Sequence, residues 1–331
     1  VTAPRITAVV VVHGSPAGTV AACVESLLAS IDVDVHVVLV DNASPDAGAA
    51  CSAWGSHERV TLVTSAVNGG FAAGVNQGLQ LRRDADLVFL LNDDATIAPD
   101  GLKLCVDTLL EHRRAIAIAP RVMLANQTDR IDSIGVVLRP NGEAFNAFIG
   151  QPWSGQVATG DEVLGPCFGA ALCRAEAFDP AAVGLIDERY RLYYEDIDWG
   201  LRARRAGWST IACTEAVVLH QHAASTRQMG EAARYELVQR NLLLCVAKNF
   251  PARAAIHAWI SRLVVHAKGL VTGPYRVQRL RSIARAVVAL PSALAARRRL
   301  GRGTFDADAT FRFAEGQSPN FSTDTYRPLL D

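Results

Sequence analysis

Two groups of carboxylates stand at the ends of strongly apolar segments. Asn92-Asp93-Asp94 follows Leu87-Val88-Phe89-Leu90-Leu91, and Glu195-Asp196-Ile197-Asp198 follows Leu192-Tyr193-Tyr194. A carboxylate at the end of a buried segment is costly unless a metal, a positive charge or a substrate compensates it. Side chains of an extended segment alternate in direction, so Asn92 and Asp94 project to one side and Asp93 to the other. An edge of that kind suits a cation and the phosphates it carries.

The elements that position these groups read as α/β. Ile6–Val12, Val35–Val40, Val60–Thr64 and Leu87–Leu91 are continuous apolar runs, with helical patterns over Val20–Ala29 and Gly74–Leu81 between them. Apolar strands alternating with helices predict a mostly parallel sheet covered on both faces. Ligands of such sheets bind beyond the carboxyl ends of the strands. Those ends carry His13-Gly14-Ser15, Asp41-Asn42-Ala43-Ser44, Asn68-Gly69-Gly70-Phe71 and Asn92-Asp93-Asp94, which together outline one site. Asp41 has two readings, the start of a turn with Asn42 and Ser44 or a ligand contact. The glycines Gly69, Gly70 and Gly74 do not form GxGxxG and follow the third strand, so they predict a tight turn close to a ligand rather than a dinucleotide fingerprint.

At 331 residues and 50% hydrophobic content the chain buries a full core. Seven scattered cysteines, none spaced as CxxC, predict neither a disulfide framework nor a zinc ribbon, and a reducing cytoplasm is the expected home. No cleavable apolar leader and no uncharged run of membrane-spanning length is visible. The net charge of zero conceals an asymmetry: Leu237–Phe305 holds thirteen Lys and Arg and no Asp or Glu. An acidic body with a basic C-terminal face follows.

Several motifs in order carry a family resemblance. Val38-Leu39-Val40-Asp41-Asn42-Ala43-Ser44, Asn68-Gly69-Gly70-Phe71-Ala72-Ala73-Gly74-Val75-Asn76 and Leu90-Leu91-Asn92-Asp93-Asp94 resemble the nucleotide-binding half of family 2 inverting glycosyltransferases of GT-A fold. Gly184–Tyr190, Tyr194–Trp199, Arg204–Trp208 and His220–Ser225 resemble its rhamnosyltransferase branch. The resemblance runs from about Ile6 to about Phe250. It divides the chain into 1–125 for the nucleotide-sugar, 126–250 for acceptor and catalysis, a basic helical extension over 251–303, and a polar tail over 304–331.

The resemblance implies roles for particular residues. Asp41 accepts a hydrogen bond from the nucleotide base, and His13, Gly14, Asn42, Asn68, Gly70 and Asn76 line the donor. Asn92-Asp93-Asp94 replaces the DxD motif with Asn in first place. Asn92 then contacts ribose or sugar, Asp94 binds Mg²⁺ or Mn²⁺, and Asp93 is a further donor contact or a solvated residue. His220 closes the metal and diphosphate site, with His222 as competitor and Ser225 five residues on. Asp196 is the base that deprotonates the acceptor hydroxyl. Glu195 orients the acceptor or caps a helix beginning near Ile197, where Asp198 is a first-turn carboxylate favoured by the dipole. Phe168 and Gly169 wall the acceptor pocket, and Trp199 either stacks on a sugar or packs in the core. Asn126–Gly160 is an acceptor-side excursion.

The implied reaction moves a sugar from a nucleotide-sugar, dTDP-L-rhamnose by the branch resembled, to a glycan or polyprenyl-diphosphate-linked acceptor. UDP-galactofuranose and other UDP- or GDP-sugars are the alternatives. A metal-dependent phosphohydrolase would use the same carboxylates but has no need of a base-reading Asp41, and a non-catalytic binder has no need of Glu195-Asp196. Past Phe250, Ala254–Gly269 and Val277–Ala289 have the spacing of basic amphipathic helices, either interfacial on an anionic membrane or packed on the body. No recognition motif or aromatic interleaving directs these arginines to nucleic acid. The expected location is cytoplasmic, peripheral on the inner face of the cell membrane.

Overall fold

The structure, a computed structural model, describes residues 3–46, 48–82, 84–221, 229–300 and 305–312. His222 and Ser225 therefore lie outside the described residues, as does most of the polar tail.

The first half alternates as expected: β1 (Arg5–Val12), α1 (Ala17–Leu28), β2 (Asp34–Asp41), a short α2 (Ala49–Ser52), β3 (Val60–Thr64), α3 (Phe71–Leu79) and β4 (Leu87–Asn92). Then come β5 (Ala95–Ile97), α4 (Gly101–Glu111), β6 (Ala115–Leu124), β7 (Gln127–Ser133), β8 (Val136–Leu138), β9 (Ala144–Asn146), β10 (Glu162–Val163) and β11 (Ala170–Arg174). The chain continues through α5 (Glu195–Arg205), β12 (Ser209–His220), α6 (Glu231–Asn249), α7 (Ala252–Thr272), α8 (Arg276–Arg299) and a short α9 (Ala307–Thr310).

One large sheet runs in the order β10-β12-β6-β11-β4-β1-β2-β3, with β5 on β12 and β7 on β6. The strands from β4 to β3 are parallel, as are β6 and β12, and antiparallel β11 lies between the two parallel groups. The β-branched runs are buried because helices cover both faces. Val20, Val24 and Leu27 of α1 and Leu102, Val106 and Leu109 of α4 pack on one face, whereas Ala72, Val75 and Leu79 of α3 pack on the other with Phe178 and Trp199. Glycine lets α3 approach closely, since a Cβ at Gly74 or Gly78 would lie 2.6 or 2.4 Å from a methyl of Val11 or Val9. Gly74 thus serves helix-on-sheet packing rather than the ligand-side turn.

Register fixes the polar edge. Val12 pairs with Asp41 and Val11 with Asn92, so the β1, β2 and β4 ends lie side by side. At the other group, His220 pairs with Ala95 of β5, next to Asp94. The segment 126–160 is tied to the main sheet, where β7 pairs with β6, and carries a small sheet of its own in which β8 pairs with β9. Beside the Glu195-Asp196 turn, α5 packs on α6, and α7 and α8 continue that helical layer, sharing a cluster with Tyr190, Tyr194 and Ile197. Phe305 and Phe311 close on Phe250 at 5.5 and 6.0 Å, so residues 305–311 dock on this layer although the composition reads as a polar tail.

Candidate active site

The turn after β2 is knitted to the turn before α3. Asp41 is buried, and its Oδ1 accepts from the Ser44 amide at 2.9 Å. Gly48, in left-handed conformation, brings its backbone so close to Asp41 that a Cβ there would meet Oδ2 at 2.5 Å. Asn42 Nδ2 donates to Asn68 Oδ1 and the Gly70 carbonyl, both at 3.2 Å, and its Oδ1 accepts from the Gly69 amide at 3.1 Å. His13 Nδ1 lies 3.1 Å from the Asn42 carbonyl, and the Gly14 amide donates to Ser44 Oγ. Gly70 has φ +89°, and a Cβ there would strike the Arg191 carbonyl at 2.7 Å. Asp41, Asn42, Asn68, Gly70, His13 and Gly14 thus form one polar rim. Asn76 is not part of it. Its amide donates to the Ile186 carbonyl and Glu188 Oε1 and accepts from the Ile186 amide, which consumes a buried side chain in holding the loop before α5.

A second cluster forms at the end of β4. His220 Nε2 lies 3.0 Å from Asp94 Oδ1 and 3.2 Å from Asn92 Nδ2, and Nδ1 lies 2.7 Å from Asp132 Oδ2. Burial alone would lower the imidazole, but the two carboxylates outweigh it and hold it up at about 10. Asp132, on β7, is a participant that motif reading misses, because the histidine it meets lies 88 residues further along the chain. Asp93 and Asp94 form the turn between β4 and β5 rather than continuing an extended segment, and Asp93 is buried rather than solvated. Burial pushes its carboxyl up to about 7 against a hydrogen bond from Ser15.

The third group sits on the first turn of α5. The turn begins at Glu195, and Tyr194 enters it in left-handed conformation, so Glu195 is within the helix and does not cap it. Glu195 is buried, its Oε2 has no hydrogen-bond partner, and burial followed by the neighbouring Asp196 charge raises its carboxyl well above the usual range. Asp196 is half-buried and held up at about 6 by desolvation, with the Ile197 amide donating to Oδ1 at 2.7 Å. The segment before β11 joins this group to the second: the Phe168 backbone hydrogen-bonds Asp196, the Cys167 thiol lies in the fields of Asp196, Asp132 and Glu195, and a Cβ on Gly169 would come 3.3 Å from Asn92 Nδ2.

Trp199 takes the packing one of its two readings, and Phe168 and Asp198 take other roles than those expected. Trp199 is fully buried between Phe168 and Phe178, with Nε1 donating to the Gly184 carbonyl, so it packs in the core and offers no face to a sugar. The Phe168 ring is buried with it, which leaves the Phe168 backbone and Gly169 as what this segment presents to the site. Asp198 is fully buried against Arg202 at 2.9 Å and Lys248 at 2.7 Å, an ion pair rather than a dipole contact.

The loop entering α5 is strained and clamped. Arg191, Tyr193 and Tyr194 all have positive φ, at 62°, 67° and 73°. Each such residue costs on the order of 1–3 kcal/mol, so surrounding structure must hold it. Asn241 of α6 does so: its fully buried Nδ2 donates to the carbonyls of Tyr190, Leu192 and Tyr193 at 2.8–2.9 Å.

The family model for Glycosyl transferase family 2 matches residues 7–178. The chain belongs to that family. An N-acetylglucosaminyl-diphospho-decaprenol L-rhamnosyltransferase of Mycobacterium tuberculosis is 28% identical over 239 residues, covering 66% of this chain and 76% of the relative. A low-salt glycan biosynthesis hexosyltransferase, Agl10 of Haloferax volcanii, is 22% identical over 234 residues, covering 67% and 70%. Among solved structures, GalNAc-T7 with UDP, GalNAc and Mn²⁺ superposes with TM-score 0.63 at 13% identity, over 92% of this chain and 60% of its own. The chain thus spans about three fifths of that protein. The mannosyltransferase PcManGT of Pyrobaculum calidifontis, in complex with GDP-Man and Mn²⁺, gives 0.53 at 16% identity, over 87% of each chain. Both structures establish the GT-A glycosyltransferase fold.

A divalent cation is implied by the fold family, and the donor set can be tested against it. Among the described residues no group of three or more His, Cys, Asp or Glu side chains is arranged to hold a metal by itself. Asp94 Oδ1 and His220 Nε2 nevertheless converge, and Asp132 on Nδ1 fixes the imidazole in the manner of a second carboxylate behind a metal-binding histidine. A cation between Asp94 and His220 would have to displace the Nε2 proton that His220 shares with Asp94, after which the two side chains, completed by diphosphate oxygens, would suit Mg²⁺ or Mn²⁺.

Proposed function

We propose that this family 2 enzyme is an inverting, metal-dependent transferase that moves a hexose from a nucleotide-sugar to a hydroxyl of a lipid-linked or glycan acceptor in cell-wall or polysaccharide synthesis. The observation that carries this reading is the desolvated Glu195-Asp196 pair on the first turn of α5, raised with no cation against it and joined through Cys167–Gly169 to the Asp94 and His220 cluster. A carboxyl held near 6 is ionised at neutral pH yet basic enough to accept a proton in the transition state. Asp196 takes the proton of the acceptor hydroxyl as that oxygen bonds to the anomeric carbon and the bond to the nucleoside diphosphate breaks on the opposite face. Glu195, with a buried oxygen lacking a partner, orients the acceptor.

The rim of His13, Gly14, Asp41, Asn42, Asn68 and Gly70 receives the nucleotide, with Asp41 toward the base. Asn92 and Asp93 contact ribose or sugar, and Gly169 borders the acceptor. Asp94 and His220 hold Mg²⁺ or Mn²⁺, which when bound neutralises charge on the departing diphosphate. The L-rhamnosyltransferase relative, named for an N-acetylglucosaminyl-diphospho-decaprenol acceptor, supports L-rhamnose as the sugar and a polyprenyl-diphosphate saccharide as acceptor, with dTDP as the nucleotide by the branch resembled. Such an acceptor is met at a bilayer, and the acid-free basic stretch 237–305 favours a cytoplasmic enzyme peripheral on the inner face of the cell membrane.

A donor panel of dTDP-rhamnose, UDP-galactofuranose, UDP-hexoses and GDP-mannose, read by mass spectrometry with a lipid-linked acceptor, tests the reading. Transfer from dTDP-rhamnose that stops in EDTA and returns with Mn²⁺ or Mg²⁺ is expected. Preference for another donor overturns the rhamnose assignment, and full activity in chelator overturns the metal assignment.

A further inference from the structure

The hairpin of α7 and α8 has its amphipathicity reversed. Ala258, Arg262 and His266 of α7 and Arg279, Ser282 and Ala286 of α8 face inward and are buried. Arg262 reaches Glu143 at 2.5 Å, the Arg279 guanidinium lies against Gly269 and 5.0 Å over the Tyr235 ring, and His266 meets the same ring edge-on. The large aliphatic residues are outside. Ile256, Ile260 and Val264 recur every four residues on α7, and Leu280, Val287 and Leu294 every seven on α8, all exposed. Of the fifteen exposed large hydrophobic residues described, eleven belong to these two helices, with Val288 at 82% and Val271 at 72%. A helix in water turns such residues inward. A surface this rich in them is an interaction face.

Charge selects the partner. Residues 237–305 contain no carboxylate, and Arg253, Lys268, Arg276, Arg281 and Arg298 are exposed among the aliphatic positions. Arg298 lines one depression with Val287, Pro291 and Leu294. Two copies of such a face would repel each other, whereas a layer that is apolar inside and anionic at its surface matches both properties. Neither helix is long and apolar enough to cross a membrane.

We infer that α7 and α8 form an interfacial hairpin that lays its aliphatic face into the headgroup and acyl boundary of an anionic bilayer, with its arginines on the lipid phosphates. This deepens and rests on the membrane placement proposed above, but it invokes insertion of side chains and not charge alone.

The full-length protein is mixed with vesicles of phosphatidylcholine, with or without phosphatidylglycerol, and sedimented in low and high salt. Binding to the anionic vesicles that persists in part at high salt is expected. The double variant Ile256→Glu and Val288→Glu should bind them about tenfold or more weakly, and Arg281→Gln or Arg298→Gln about fivefold more weakly each, all with unchanged thermal unfolding. The inference is overturned if the wild type ignores both vesicles, or if the double Glu variant binds as the wild type does with all binding lost in salt. It is also overturned if the wild type is a dimer that the Glu variant dissociates. Vesicle binding by a protein inactive toward every donor would sink the transferase reading and leave the hairpin's role standing.

Discussion

On the first turn of α5, Asp198 and the Glu195-Asp196 pair are carboxylates within four residues of one another, and their surroundings differ completely. Asp198 is enclosed by Arg202, Lys248, the Tyr190 hydroxyl and the Asn249 amide. Burial would raise it, but Lys248 and Arg202 outweigh that and hold it below the usual carboxylate range. Glu195 and Asp196 are desolvated with no cation against them, and both are raised. One carboxylate is spent on tying α5 to α6. The other two are left with proton affinity and lone pairs for a ligand, which is how a fold distinguishes a structural acid from a chemical one.

The comparison is broken most severely at Asp198. Asp198→Asn leaves buried Arg202 without its carboxylate partner and Lys248 with Asp187 alone at 2.7 Å, and a loss of about 3 kcal/mol in stability is expected from denaturant unfolding at neutral pH. Because the folded state depresses this carboxyl, its contribution is present above the unfolded value near ~3.9 and is lost as pH falls through the folded value. The gap between wild type and variant should therefore close in acid. An unchanged midpoint would show that the pair contributes nothing.

Asp196→Asn tests the other side. It removes the base, so turnover should fall by roughly a hundredfold or more with donor affinity nearly intact. In the wild type, kcat/KM should fall as pH drops through about 6, because the base must be ionised to act. The folded state raises this carboxyl, so its stability term is present below the unfolded value and is lost as pH rises through about 6. Asp196→Asn should then be no less stable than the wild type at pH 8, the opposite sign to Asp198→Asn. Near-wild-type turnover would remove Asp196 from the chemistry.

A smaller effect sharpens the comparison at a distance. Asn241 touches neither carboxylate, but its three hydrogen bonds hold the left-handed residues that deliver Glu195 and Asp196. Asn241→Ala should lower kcat about tenfold through misplacement of the base, with the KM for the donor nearly unchanged. If kcat stays constant while stability falls, the clamp is structural only.

Much of the sheet was legible because its signal is local. β-branched runs such as Ile6–Val12 and Val60–Thr64 bury on both faces wherever helices alternate with them, and the strands observed begin and end within one residue of those runs. The polar edge followed from the same logic, since Asp41 and Asn92 are where the runs end. Asn76 and Phe168 were misplaced, and Trp199 was left between two readings, for a common reason. Each lies beside a motif, and sequence adjacency does not say whether a side chain turns toward the ligand edge or back into the core. Asp132 and Asn241 were not legible because their partners lie 88 and 48–51 residues away.

The sequence by itself determined the alternation of strands and helices, the placing of carboxylates at apolar ends and the acid-free C-terminal stretch, because periodicity and composition act over a few residues. Only the tertiary structure decided which carboxylate is paired, which face of α7 and α8 is turned to solvent, and how β11 and β12 bring His220 to Asp94. A carboxylate's charge state and a helix's outer face depend on what packs against them, and those neighbours come from remote parts of the chain.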